Sequence, residues 1–153
     1  MLSNKKEKIF SRSIEEANKS DMLFKHGCVA TYGGKIIASG YNINKGYIMN
    51  DNFIKNQCSC HAEICVLKKI YEKNRYKRHK LNRIMKKTTL YISRTASEKV
   101  STNSAPCFKC LNMIKKYNIK KIIFHMDDEY HEYRAKDYYT SHTTFGDIYA
   151  ENK

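Results

Sequence analysis

The apolar side chains Ile9, Phe10, Ile14, Ala17 and Leu23 recur at roughly helical spacing and predict an amphipathic helix near the start of the chain. In "CVATYGGKIIASGYN" two short apolar runs flank Gly33-Gly34, the pattern of a tight β-hairpin. Ile43 to Cys58 is rich in Asn, Gly and Lys with little periodicity and reads as a loop. From His61 the pattern turns helical, with Ile64, Leu67, Lys68 and Tyr71 on one side and Ala62, Cys65, Val66 and Ile70 around it. "YEKNRYKRHKLNRIMKK" then reads either as the end of that helix or as a solvated connection. "TTLYIS" (Thr88 to Ser93) is β-rich and predicts a strand. "RTASEKVSTNSA" reads as a loop, "PCFKCLNMIKKYN" as a helix with Pro106 in its first turn, and "KKIIFHM" as another strand. The tail has two readings. A turn at "MDDE" can return as an antiparallel strand, "YHEYRA". Alternatively "DEYHEYRAKDYY" is a crossover helix leading to a parallel strand, "TTFGDIY". The hairpin is preferred, because a parallel return needs a crossover of about a dozen residues.

The order α, β, β, α, β, α, β predicts an α/β sheet flanked by helices. With 153 residues, no repeats and no low-complexity linker, the expectation is a single domain over 1–153. No stretch approaches the roughly 20 apolar residues of a membrane span. The start, "MLSNKKEKIFSRS", has neither the apolar run nor the cleavage site of a secretory signal. The expected setting is therefore intracellular and cytoplasmic, without membrane partners. There the six cysteines serve as thiols or metal ligands before disulfides. The net charge of +14 points toward polyanions. Yet only 6 of the 29 cations are Arg, the side chain that grips phosphates and bases with fixed geometry. The abundance of Lys, Asn, Ile and Tyr is what AT-rich codons produce. Nucleic acid thus stays open as a partner beside a phosphorylated small substrate.

Chemistry concentrates in two stretches, "QCSCHAEICVL" and "SAPCFKC". Cys107 and Cys110 form a C-x-x-C pair at a helix start, a spacing at which two thiolates grip one zinc. The free N–H groups and dipole of the helix N-terminus favour the thiolate form. His61 opens the other helix. One histidine and two cysteines leave a fourth tetrahedral position for water, as catalytic rather than structural zinc sites do. Glu63, two residues past His61, is placed to take and return a proton.

"HAE" and "PCFKC" together resemble the signature of the cytidine and deoxycytidylate deaminase superfamily, over a core of about 24–124. The resemblance implies a three-layer cytidine-deaminase-like fold with a central mixed sheet of about five strands. It implies Zn2+ held by His61, Cys107 and Cys110, with Glu63 as the catalytic proton shuttle. It implies hydrolytic deamination, water adding at C4 of a cytosine nucleoside or nucleotide of the dCMP, CMP or cytidine type. For substrate binding it implies the side chain of Asn42, the N–H of Ala62, and the backbone at Ser104 and Ala105. A homo-oligomer is also implied, since family members commonly complete their sites across subunit contacts. The interval from Glu63 to Pro106 is long for the family, and the basic stretch from Tyr71 to Lys87 accounts for the excess.

Plainer readings stand beside these. Cys58, Cys60, Cys107 and Cys110 could form a structural Cys₄ zinc site. His26, Cys28, Cys58 and Cys60 could hold a second metal, although thiols without metal are the simpler reading. Cys65 reads as a small core residue. Two further functions remain: a nucleic-acid base deaminase, acting on tRNA adenosine or polynucleotide cytidine, and a non-catalytic zinc-binding module on the same scaffold.

Overall fold

The computed structural model describes residues 2–44, 59–96, 99–100, 103–126 and 129–140. Helix α1 spans Asn4–Ala17, starting where the Ser3 hydroxyl accepts from Lys6 N at 3.3 Å. Its buried face is Phe10, Ser13, Glu16 and Ala17. Leu23, expected to continue that stripe, lies beyond the helix and is largely exposed. Strands β1 (Lys25–Tyr32) and β2 (Lys35–Tyr41) pair antiparallel. Gly33 and Gly34 take φ of 58° and 79°, the positive values a two-residue hairpin turn needs. The helix crosses β1 at Gly27, where a Cβ would strike the Ser13 carbonyl and the Ala17 backbone.

Strands β3 (Ile43–Asn44) and β4 (Ser59–Cys60) form a small separate pair. Most of the loop expected from Ile43 to Cys58, Cys58 included, lies outside the described residues. Helix α2 (Ala62–Asn74) follows. The basic stretch begins as the end of that helix, through Asn74, and then forms a separate helix, α3 (Arg78–Lys86), rather than a bare connection. Leu81 and Met85 are buried on one side of α3. Those two apolar positions suffice to anchor a short amphipathic helix whose other side is charged.

Strand β5 runs from Thr88 to Ala96, past the predicted end at Ser93, and turns back through β6 (Lys99–Val100). The segment expected to be a loop thus begins as a hairpin. Helix α4 (Phe108–Lys116) has Cys107 as its N-cap, so Pro106 precedes the helix rather than sitting in its first turn. Strand β7 (Lys121–Met126) lies parallel to β5, the two joined through α4. Strand β8 (Glu129–Arg134) returns antiparallel to β7, which selects the hairpin reading of the tail. The alternative strand "TTFGDIY" lies outside the described residues.

The sheet order is β2-β1-β5-β7-β8, a five-stranded mixed sheet with β6 attached to β5. Alternation along the strands splits the core in two. Val29, Tyr91 and Ile123 face α1 through Phe10. Cys28, Ala30, Leu90, Ile92, Ile122 and Phe124 meet Ile64, Leu67, Leu111 and Ile114 of α2 and α4. With Leu81 and Met85 of α3 in the second cluster, the result is the expected three-layer α/β arrangement. Among the described residues no helix is long and apolar enough to cross a membrane.

Candidate metal centre and active site

Two helices begin at the C-terminal end of the parallel β5–β7 pair, the end where open α/β sheets bind ligands. Ser104, just before α4, bridges that end: its hydroxyl donates to Ile92 O at 2.8 Å, and its N–H donates to His125 O at 2.8 Å. The N-cap of α2 is His61 and that of α4 is Cys107, and neither side chain caps its own helix. Both are thereby left for another purpose.

That purpose is visible in the distances. His61 Nδ1 lies 3.1 Å from Cys110 Sγ and 3.5 Å from Cys107 Sγ. The three donor atoms all lie within 4.8 Å of one another, and both thiols are buried. A tetrahedral zinc with its usual bond lengths sets neighbouring N and S donors roughly 3.5–3.8 Å apart. The set therefore fits zinc with shifts of a few tenths of an ångström. One imidazole nitrogen and two sulfurs are also the borderline-soft donors zinc prefers. His61, Cys107 and Cys110 are the one such group among the described residues.

The electrostatics suit a metal. The Cys107 thiol is held down to about 5, chiefly by the hydrogen bond with Cys110 and then by His61, against burial that pushes the other way. At neutral pH it is the thiolate, the ligating form. Glu63 lies in the first turn of α2 and is 4% exposed. Burial raises its carboxyl above the ordinary range, with His61 pulling down and the Cys107 charge pushing up. A carboxyl raised in this way holds a proton more readily than an exposed one, which suits a group that takes and returns a proton.

Of the residues expected to contact substrate, Ala62 is fully buried as the first residue of α2. The side chain of Asn42 is engaged at both ends: Oδ1 accepts from His26 N, and Nδ2 donates to Phe24 O, each at 2.8 Å. It thus pins the chain that enters β1. The N–H of Ala105 donates to Asn103 Oδ1 at 2.9 Å.

Of the second candidate metal set, Cys28 is fully buried in the core. Its thiol is pushed well up by burial and by Glu63 and Cys65, which keeps it protonated. His26 and Cys28 join no donor group among the described residues, and the side chain of Cys60 lies outside them. Cys65 is a buried core residue, as read from the sequence.

Two polar residues emerge that sequence reasoning missed or misplaced. His26 and Arg94 are cross-strand partners, and alternation puts them on the same sheet face as Cys28 and Ile92, toward α2. Burial, then Arg94, then His61 drive the His26 pKa down to about 3, so the imidazole is neutral beside the site. The Arg94 guanidinium stacks 4.7 Å from the Phe24 ring centroid, and its buried Nε has no hydrogen-bond partner among the described residues. The available signal was period two. Once the strand is carried past Ser93, Leu90, Ile92 and Arg94 fall on one face.

Residues 3–126 match the family described as the cytidine and deoxycytidylate deaminase zinc-binding region. Among solved structures, the chain is similar to the dCMP deaminase of cyanophage S-TIM5 in its apo form. The TM-score is 0.56 at 20% identity, covering 82% of this chain and 86% of that one. At that identity the likeness speaks for the fold. Among curated proteins none matches the chain.

Proposed function

The chain belongs to the cytidine and deoxycytidylate deaminase zinc-binding family, and on that premise we propose that it hydrolyses the amino group from a free cytosine nucleotide of the dCMP or CMP type. The observation that carries the reading is the convergence of His61 Nδ1, Cys107 Sγ and Cys110 Sγ beside a buried Glu63. Zinc at those donors supplies Lewis acidity that lets water act as a nucleophile near neutral pH.

The chain's own groups do the rest. Glu63 takes a proton from the attacking water as oxygen adds to C4 of the cytosine. It delivers that proton to ring N3, then carries a second from the added oxygen to the departing amine. The C4–N4 bond breaks, and uracil and ammonia leave. The N-terminal dipoles of α2 and α4 both favour the negative charge held at their starts. Arg94 supports a nucleotide over a nucleoside, because it brings a permanent cation with an unspent Nε to the sheet face beside His26. Asn42 could take a sugar hydroxyl only with the second lone pair of Oδ1 or by releasing a backbone bond. A base edge at Ser104 and Ala105 would be read by carbonyls, since both N–H groups are taken.

The test is turnover by zinc-loaded protein offered dCMP, CMP and cytidine, read as ammonia release and the absorbance change of cytosine to uracil. Release from dCMP or CMP exceeding that from cytidine is expected. No turnover of any of the three with zinc bound would sink the proposal.

A further inference from the structure

The far end of the same sheet carries a second concentration of charge. A cavity of about 820 Å³ opens at the N-terminal ends of β5 and β7, lined by Lys86, Lys87, Lys120, Lys121, Arg134 and Lys136. Lys115, also in the lining, lies 3.7 Å from the ring centroid of Tyr139 at the rim. The place is dictated by topology. Lys87 precedes β5, Lys120 N–H donates to Thr88 O, and Lys121 pairs with Arg134 across β7 and β8. The deaminase centre sits at the opposite ends of these strands, roughly 20 Å away along β5 at about 3.3 Å per residue.

Among the described residues no carboxylate lines this cavity. Glu132 reaches Lys121 at 3.7 Å but also binds Lys6 at 2.5 Å, and so it offsets little of the charge. The positive surface does not stop at the cavity. Lys86 and Lys87 end α3, whose Arg78, Lys80 and Arg83 are exposed. Beyond α3, Arg75 stacks on Tyr76 at 4.8 Å, and that ring is 86% exposed. From Lys68 to Lys87 the one acid is Glu72, which pairs back to Lys68 at 3.9 Å. A compact anion would be served by the cavity alone. A charged track about two turns of helix longer, ending in an exposed aromatic, fits an extended polyanion with bases to stack.

We propose that the α3 track and the cavity together form a docking site for the backbone of single-stranded nucleic acid, separate from the deaminase centre. The strand's phosphates lie along Arg78, Arg83, Lys86 and Lys87 and enter the cavity at Lys120 and Lys136. The docked segment is a tether, so it need not present a base to Glu63. This assignment does not depend on the substrate proposed above.

The experiment uses the full chain and labelled oligothymidylate of 12 nucleotides, which contains no cytosine for the deaminase centre. Fluorescence anisotropy is read across a salt series, with inorganic triphosphate as competitor. The variants are Lys120→Glu with Lys136→Glu, and Arg78→Glu with Arg83→Glu, all at exposed positions. Micromolar binding at low salt is expected. Each double variant should weaken it at least tenfold and flatten the salt slope by about 1.4, at about 0.7 per lost phosphate contact. Melting temperature and any nucleotide turnover should stay at the parent values. Absence of binding to the parent at low salt overturns the proposal, as does binding that neither double variant weakens. Triphosphate binding as tight as the oligonucleotide's, with the α3 variant silent, overturns it in favour of a compact anion pocket.

Discussion

Replacing Glu63 by Gln keeps the shape and polarity of a side chain that is 4% exposed while removing its ability to take a proton. Loss of a positioned general acid–base group costs about 10²- to 10⁴-fold. Here one carboxyl is asked to accept from water and deliver to two nitrogens, so the loss should lie in the upper half, 10³-fold or more. At 1.36 kcal/mol per decade that is about 4–5.5 kcal/mol of transition-state stabilisation. The structural cost should be small. Glu63 sits in the first turn of α2, where a negative charge is worth about 0.3–1 kcal/mol. The burial that raises its carboxyl means that a neutral replacement also relieves desolvation. The two effects oppose, so the melting temperature should move by no more than about 2–4 °C. The assay is kcat/KM on dCMP, with zinc content by mass spectrometry of metals and a thermal melt on the same sample. A variant that holds its zinc and its melting point while retaining kcat/KM within tenfold of the parent would refute the role given to Glu63.

Three further outcomes follow from the same structure. Cys110→Ala removes a fully buried donor 3.1 Å from His61 Nδ1, so bound zinc should fall from about one per chain to below about 0.1 after dialysis, with a lower melting point, because metal binding is linked to folding. Gly27→Ala places a methyl group against the Ser13 and Ala17 backbone and should destabilise by about 1–3 kcal/mol or more in urea unfolding; an unchanged midpoint would mean that α1 does not lie against β1 as described. His26 is excluded from its protonated form in the fold, with a pKa of about 3 against 6.5 when unfolded, so stability held above pH 6.5 should fall as pH drops from 6.5 toward 3, at up to about 1.4 kcal/mol per unit. By pH 5 the loss from this group is about 2 kcal/mol, and His26→Gln, which cannot titrate, should remove that loss from the unfolding-versus-pH curve; an unaltered slope would sink the reasoning.

The metal donors were legible in the sequence because their spacing is local. Cys107 and Cys110 are three apart, His61 and Glu63 are two apart, and helix starts favour both groups. Their meeting on one face of the sheet rested on resemblance, since nothing local joins residues so far apart. The Gly33-Gly34 hairpin and the return of β8 were readable from turn residues and connection length. Helix α3 was not, because the polar majority of "KRHKLNRIMK" masks the two apolar positions, Leu81 and Met85, that anchor it. Arg94 was missed because an arginine among polar residues reads as loop, and the pairing of Thr95 with Val100 that extends β5 is a tertiary fact. Asn42 was read as a substrate contact from the resemblance alone. That its amide would be spent on Phe24 and His26 depends on a chain crossing 16 residues away.

The spacing of the metal donors also dictates an order of assembly. Cys107 and Cys110 are close in any conformation of the chain, whereas Cys107 and His61 are 46 residues apart. Closing the longer loop costs about 2 kcal/mol more in chain entropy than closing the shorter one. A metal ion met by the unfolded chain is therefore captured first at a local set, the two thiols at the future start of α4 or Cys58, Cys60 and His61, and held there loosely. The set that joins His61 to Cys107 and Cys110 closes last, once α2, β5 and α4 have docked. Refolding with zinc present should show rapid thiolate–metal absorption followed by a slower phase, in which the joined donor set and the native fold appear together. With His61→Ala the fast phase should persist and the slow metal signal vanish.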